Sequence, residues 1–106
     1  MYAIAILRYR RPLEDVLTIL DEHRAYLRGL KARGLLVASG PFDPRSGGAL
    51  LLRIPDGAPH SVLDRIRDED PFIIHGMAQY ELLVWNPVIG GEDLDRIQKD
   101  EPDISG

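Results

Sequence analysis

The stretch Tyr2–Tyr9, YAIAILRY, is apolar in both of its alternating sets, Tyr2/Ile4/Ile6 and Ala3/Ala5/Leu7. Its length, its Ile, Leu and Tyr content and the Arg-Arg-Pro break that follows read as a β-strand. Successive side chains of a strand point to opposite faces, so this one has to be covered on both. Any fold for the chain must put a layer on each side of its first strand.

The next segments supply one of those layers. Pro12 suits the first turn of a helix, in which Leu13, Val16, Leu17, Leu20, Leu27 and Leu30 recur at helical spacings until Gly34 stops it after Lys31 and Arg33. Leu35–Pro41 reads as a second, buried strand, and Ala49–Ile54 as a third, paired with it as a hairpin across FDPRSGG. Pro59 opens a shorter helix with Val62, Leu63 and Ile66 on its apolar stripe, which Pro71 prevents from passing Asp70. Gln79–Trp85 is the fourth strand, ended by Asn86-Pro87. The order βαββαβ predicts a ferredoxin-like α+β subunit, a four-stranded antiparallel sheet with both helices on one face. Residues 1–90 form the expected domain. Residues 91–106 form a C-terminal extension, helical around Leu94 and Ile97 and then mobile through KDEPDISG.

A chain of 106 residues has enough length for one core and no third layer to lay on the other sheet face. A second copy of the chain is the economical cover, which predicts a homodimer formed by the helix-free faces. The alternative is a monomer whose second face is partly bare, since Ala3 and Ala5 would expose little.

Composition narrows the partners. Apolar residues make up 44% and charged residues 28% of the chain, the balance of a folded, soluble domain. The net charge of −4 argues against nucleic acid. The N-terminal apolar run is too short for a signal segment and carries its positive charge on the wrong side. No stretch approaches the roughly 20 apolar residues of a membrane helix. With no cysteine there are no disulfides and no thiolate chemistry, which fits a cytoplasmic protein. The histidines at 23, 60 and 75 lack metal-ligand spacing, and no phosphate loop occurs, so neither metal nor cofactor is expected.

His23 interrupts the leucine stripe of the long helix and should face the sheet, either as a buried structural histidine or as a functional one. Asp70, within DEDPFIIHG, forms an Asp-Pro helix-capping pair with Pro71, yet it also follows the negative end of the preceding helix, where a carboxylate needs a cationic or hydrogen-bonding partner. Side-by-side helices on one face could bring the two together as an Asp-oriented imidazole, a general base. Ser39, Gly40 and Pro41 at the end of the second strand, with Phe72, are the candidate binding residues. Asp68 and Glu69 read as solvated, and His60 and His75 as weaker candidates.

Three stretches in this order, HRAYLRGLKARGLLVASGP, SGGALLLR and DEDPFIIHGMAQYELLVW, resemble the YCII-related (YciI-like) family of the dimeric α+β barrel superfamily. The resemblance implies a ferredoxin-like subunit paired sheet to sheet and a pocket between helices and sheet. It also implies a His-Asp dyad, at His23 and Asp70 in this chain. One branch of the family is similar to enzymes that eliminate chloride from chlorinated hydroxyhydroquinones without a cofactor, and neighbouring superfamilies contain muconolactone isomerases. Two readings remain open. One is a cofactor-independent lyase or isomerase acting on a small oxygenated cyclic or aromatic compound; the other is a non-catalytic module binding a metabolite or a protein.

Overall fold

The computed structural model describes residues 1–98 and 101–105. Its elements are β1 (Tyr2–Tyr9), α1 (Leu13–Ala32), β2 (Leu36–Pro41), β3 (Gly47–Arg53), α2 (Ser61–Asp68), α3 (Pro71–Ile74), β4 (Ala78–Trp85) and α4 (Gly91–Ile97). The strands form a four-stranded sheet in the order β2-β3-β1-β4 with every neighbouring pair antiparallel. This is the ferredoxin-like α+β arrangement.

β1 is an inner strand, paired on both edges, and its Ala3, Ala5 and Leu7 set is fully covered. Ala3, Ala5 and Leu7 pair with Leu52, Leu50 and Gly48 of β3 and face the helices. Above them lie Val16, His23, Leu27 and Leu30 of α1 and Val62, Leu63 and Ile66 of α2. Each such aliphatic side chain contributes about 1.5–3 kcal/mol when fully buried, so this stripe is the main attachment of the helical layer. Tyr26 adds a polar tie between the helices, its hydroxyl donating to the Ile66 carbonyl at 2.6 Å. Burial, helped by the nearby charges of Glu69 and Asp70, pushes that phenol well above its ordinary pKa.

α1 ends where its sequence requires. Gly34 takes φ of +75°, its N–H donates to Lys31 O, and Leu35 N–H donates to Leu30 O, the paired bonds of a Schellman cap.

Several expectations need correction. The buried stripe of α1 runs through Val16, His23, Leu27 and Leu30 with Leu20 half-buried beside it, whereas Leu13 and Leu17 are 41% and 45% exposed. Both match the helical spacing but are rotated off the face that meets the sheet. β2 is buried only at Leu36 and Val37; Ala38 to Pro41 are exposed, because β2 is an edge strand whose far half leaves the helical layer. β3 starts at Gly47, and His60 caps α2 from outside instead of lying in its first turn.

The second sheet face carries the row Leu51, Ile4, Leu83 and the neighbouring Ile6 and Trp85. Ile4 and Ile6 are half-buried, while Leu83 and Trp85 are 43% and 40% exposed. α4 approaches only the end of this face, where Tyr2 Oη donates to Asp95 at 2.7 Å and Arg53 donates to Gln98 O at 2.5 Å. Asp103 N–H donates to Arg33 O, Arg65 donates to Ile104 O, and Pro102 is buried. The mobility expected of KDEPDISG concerns Lys99, Asp100 and Gly106 as well, and these lie outside the described residues.

Two glycines test this packing in opposite directions. A Cβ on Gly47 would lie 1.9 Å from Leu7 O, so Gly47→Ala must push β1 and β3 apart. It should lower unfolding free energy by about 1–3 kcal/mol in urea titration. Gly29 is exposed in α1 with nothing within 4 Å of a built Cβ, and Gly29→Ala should raise stability by about 0.5–1 kcal/mol.

Candidate active site

His23 and Asp70 meet. His23 Nδ1 lies 2.8 Å from Asp70 Oδ1, with His23 buried and Asp70 fully so. A carboxylate only accepts hydrogen bonds, so Nδ1 carries the proton and donates it. The same oxygen accepts from Phe72 N–H at 2.8 Å, and Oδ2 accepts from the Tyr80 hydroxyl. Three donors from α1, α3 and β4 thus converge on one buried carboxylate.

The local backbone explains the placement. Asp70 leaves α2 in an extended conformation, ψ 128°, and caps α3 with Pro71 at the first helical position. Its charge therefore faces the free N–H groups of a new helical turn. The repulsion expected from the end of α2 does not act on it in that form. Asp68 and Glu69 do stay at the surface, Asp68 accepting from Arg67 Nε at 2.9 Å. Phe72, two residues on, stacks flat against the imidazole with ring centres 3.8 Å apart and planes 7° apart. Tyr9 meets Phe72 edge to face at 6.0 Å. The imidazole is held in its plane by Phe72 and in its tautomer by Asp70.

The other ring nitrogen is free. Nε2 of His23 makes no hydrogen bond within the described residues, and the buried side-chain polar atoms without a partner there all belong to Arg33, so Nε2 is not sealed. It opens toward a partly enclosed cavity of about 270 Å³. Leu20, Arg24 and Leu27 of α1, Leu7 and Tyr9 of β1, Ser39, Gly40 and Pro41 of β2, Gly47 to Leu50 of β3, Arg45 and Phe72 complete its wall.

The Ser39 side of that wall depends on an irregularity in β2. Leu36 pairs with Leu52, but Ala38 pairs with Leu51 and Ser39 with Leu50, so one extra residue is inserted at Val37. Such a bulge exchanges the faces of all later residues. It puts Ser39 and Pro41 in register with Leu50 and Gly48, on the helix-facing side where the cavity lies. Gly48, also on the cavity wall, lets β2 and β3 approach closely: a Cβ there would stand 2.6 Å from Gly40 O.

His23, Ser39, Gly40, Pro41 and Phe72 come together here, with Asp70 behind His23 and not on the cavity wall. His75 and His60 are exposed and apart from the cavity, His75 facing Glu22 at 3.3 Å. No group of three or more potential metal-ligating side chains forms among the described residues. No described helix is long and apolar enough to cross a membrane. Tyr80, Tyr9, Arg24 and Arg45 were not anticipated. Tyr80 alone had a usable signal, a polar tip in the otherwise apolar helix-facing set Ala78, Tyr80, Leu82.

The family model of the YCII-related domain matches residues 2–86. Among solved structures, 5-chloro-2-hydroxyhydroquinone dehydrochlorinase from Burkholderia phenoliruptrix AC1100, in complex with 2,5-dihydroxybenzoquinone, is similar with a TM-score of 0.66 and 22% identity. The match covers 81% of this chain and 94% of that one. No curated protein sequence matches.

Removing the carboxylate strands all of its donors at once. Asp70→Ala should lower unfolding free energy by about 3–5 kcal/mol. Tyr80→Phe, which loses one bond and leaves Asp70 two donors, should cost about 1–3 kcal/mol. Equal urea midpoints for wild type and Asp70→Ala would show that the carboxylate is not the hub described here.

Proposed function

This chain belongs to the YCII-related domain family, and we propose that it is a small-molecule enzyme, a lyase or isomerase that moves a proton with His23 and needs no added cofactor. The observation that carries this reading is the asymmetry of the imidazole: Nδ1 is tied to a buried carboxylate and Nε2 faces an open cavity. A histidine serving structure alone would be expected to have both nitrogens satisfied.

In the proposed step, Nε2 takes a proton from a ring hydroxyl or an acidic C–H of the substrate, and Asp70 stabilises the imidazolium that forms. For elimination, the ring first tautomerises, a hydroxyl proton moving to the chlorine-bearing carbon; deprotonation of a second hydroxyl by Nε2 then frees the electron pair that expels chloride from that saturated carbon, giving the quinone and chloride, with the proton on His23 for release to solvent. For isomerisation, the imidazolium returns its proton to another substrate atom. Phe72 and Leu20 offer apolar surface to a ring, and Ser39 offers a hydroxyl. The similar dehydrochlorinase, which acts on a chlorinated hydroxyhydroquinone, supports an oxygenated ring as substrate class. Residues 1–90 are the unit proposed to carry this chemistry, with 91–106 as an accessory extension that does not line the cavity in its described part.

The bare sheet face supports a homodimer. Leu83 and Trp85 are large, exposed and contiguous with Ile4, Ile6 and Leu51, an apolar patch of the kind that marks an interface.

Chloride release from 5-chloro-2-hydroxyhydroquinone is the first assay. His23→Ala should reduce turnover by about 10²–10⁴-fold. Asp70→Asn should keep the fold, since its amide oxygen still accepts from His23 and Phe72 and its NH₂ can donate to the Tyr80 oxygen, while lowering turnover about as severely. An unaltered rate in His23→Ala would remove His23 from the chemistry, and binding without turnover would assign the non-catalytic module instead. In sedimentation, the wild type should run as a dimer and Leu83→Glu as a folded monomer; a wild-type monomer that persists at high concentration would exclude the sheet-to-sheet pair.

A further inference from the structure

The charge around the cavity has one sign. Arg24 follows His23 on α1, and Arg45 stands in the loop between β2 and β3; both line the cavity, and no aspartate or glutamate does. In a chain of net charge −4 this is a local reversal. Neither guanidinium belongs to an ion pair among the described residues. Arg45 is half-buried, yet its recorded bond is a long one, Nε to Tyr9 Oη at 3.4 Å. Tyr9 is in turn fixed by its edge-to-face contact with Phe72, the ring stacked on His23. A partly desolvated guanidinium is thus steadied on the wall of the cavity that His23 also lines, with most of its donor fork unused.

A guanidinium in this position is suited to a planar anionic oxygen group, which it holds with two parallel charge-assisted bonds. Arg24 is exposed and lines the cavity from α1, so it adds attraction at the rim. We propose that the cavity selects an anion: a single-ring compound bearing a carboxylate or an ionised ring oxygen, whose charge is held by Arg45 and Arg24 while the ring lies against Phe72 within reach of His23 Nε2. The volume of about 270 Å³ limits the ligand to that size, below the roughly 300–1,000 Å³ of drug-sized pockets. The proposal rests on the reading of this cavity as the substrate site, but its readout is binding and not turnover.

Calorimetric or NMR titration of the full chain with matched probes tests it. Benzoate and benzamide share a shape and differ in charge; 2,5-dihydroxybenzoquinone, whose hydroxyls ionise readily, and neutral hydroquinone form the second pair. The anionic member of at least one pair should bind about tenfold or more tightly than its neutral mate. The pair in which this occurs tells whether carboxylate or ring oxygen is the recognised group. The preference should shrink with added salt, fall about tenfold in Arg45→Gln, persist in part in Arg45→Lys, and vanish in the Arg24→Gln/Arg45→Gln double variant with its circular dichroism unchanged. Equal binding within both pairs, binding of none of the probes, or a charge preference that survives the double variant would overturn the proposal. An anion-selective protein without turnover would sink the catalytic reading and leave this one standing; an active protein indifferent to charge would do the reverse.

Discussion

The Asp70 carboxylate is the constraint on which the site depends. A charge removed from water is tolerated only when donors replace the lost hydration, and here a side chain of α1, a backbone N–H of α3 and a hydroxyl of β4 do so. Each donor comes from a different element, so the carboxylate can be satisfied only when helices and sheet have docked in one arrangement. The direction of the His23 ring follows from that docking. Its orientation is a property of the packed core and not of a loop that could relax independently, which is the kind of support a reacting group needs to keep its geometry.

The sheet side of the cavity depends on strand pairing. Gly48 lets β2 and β3 approach closely, in the cross-strand row Pro41, Gly48, Leu7 and Tyr80, and the bulge at Val37 turns Ser39 and Pro41 inward. At the opposite end of β1 the chain fills space. The extension after β4 packs beside Tyr2 and Arg53 and runs on to Arg33. The extension thus covers part of the end of the sheet around Tyr2 and Arg53, while the cavity of His23, Arg24 and Arg45 lies at the other end.

How far this was legible from sequence depended on whether the signal was local. His23 was visible because a polar residue broke a leucine stripe, and Asp70 because Asp-Pro is a helix-start signal; the element order followed from period and punctuation. Leu13 and Leu17 misled because spacing defines a stripe without fixing where its edge meets the sheet. The exposed half of β2 was missed because edge position is a property of strand order, and LLVASGP reads the same at an edge or a centre. The inward turn of Ser39 rests on a pairing shift with β3, a relation between two segments that neither one displays alone. Arg24 and Arg45 were lost among the 13 Lys and Arg residues of the chain, since only the fold removes their counter-charges.

Because Asp70 serves both packing and the orientation of His23, a substitution there confounds stability with any functional effect. Arg24 and Arg45 stand outside that network: neither donates to Asp70, and neither belongs to the buried cluster. Changes at these positions can alter what the cavity accepts while leaving the imidazole where the core holds it. The physical separation of a rigid, buried His-Asp pair from a charged, more adaptable rim is what would let the rim change without disturbing the pair.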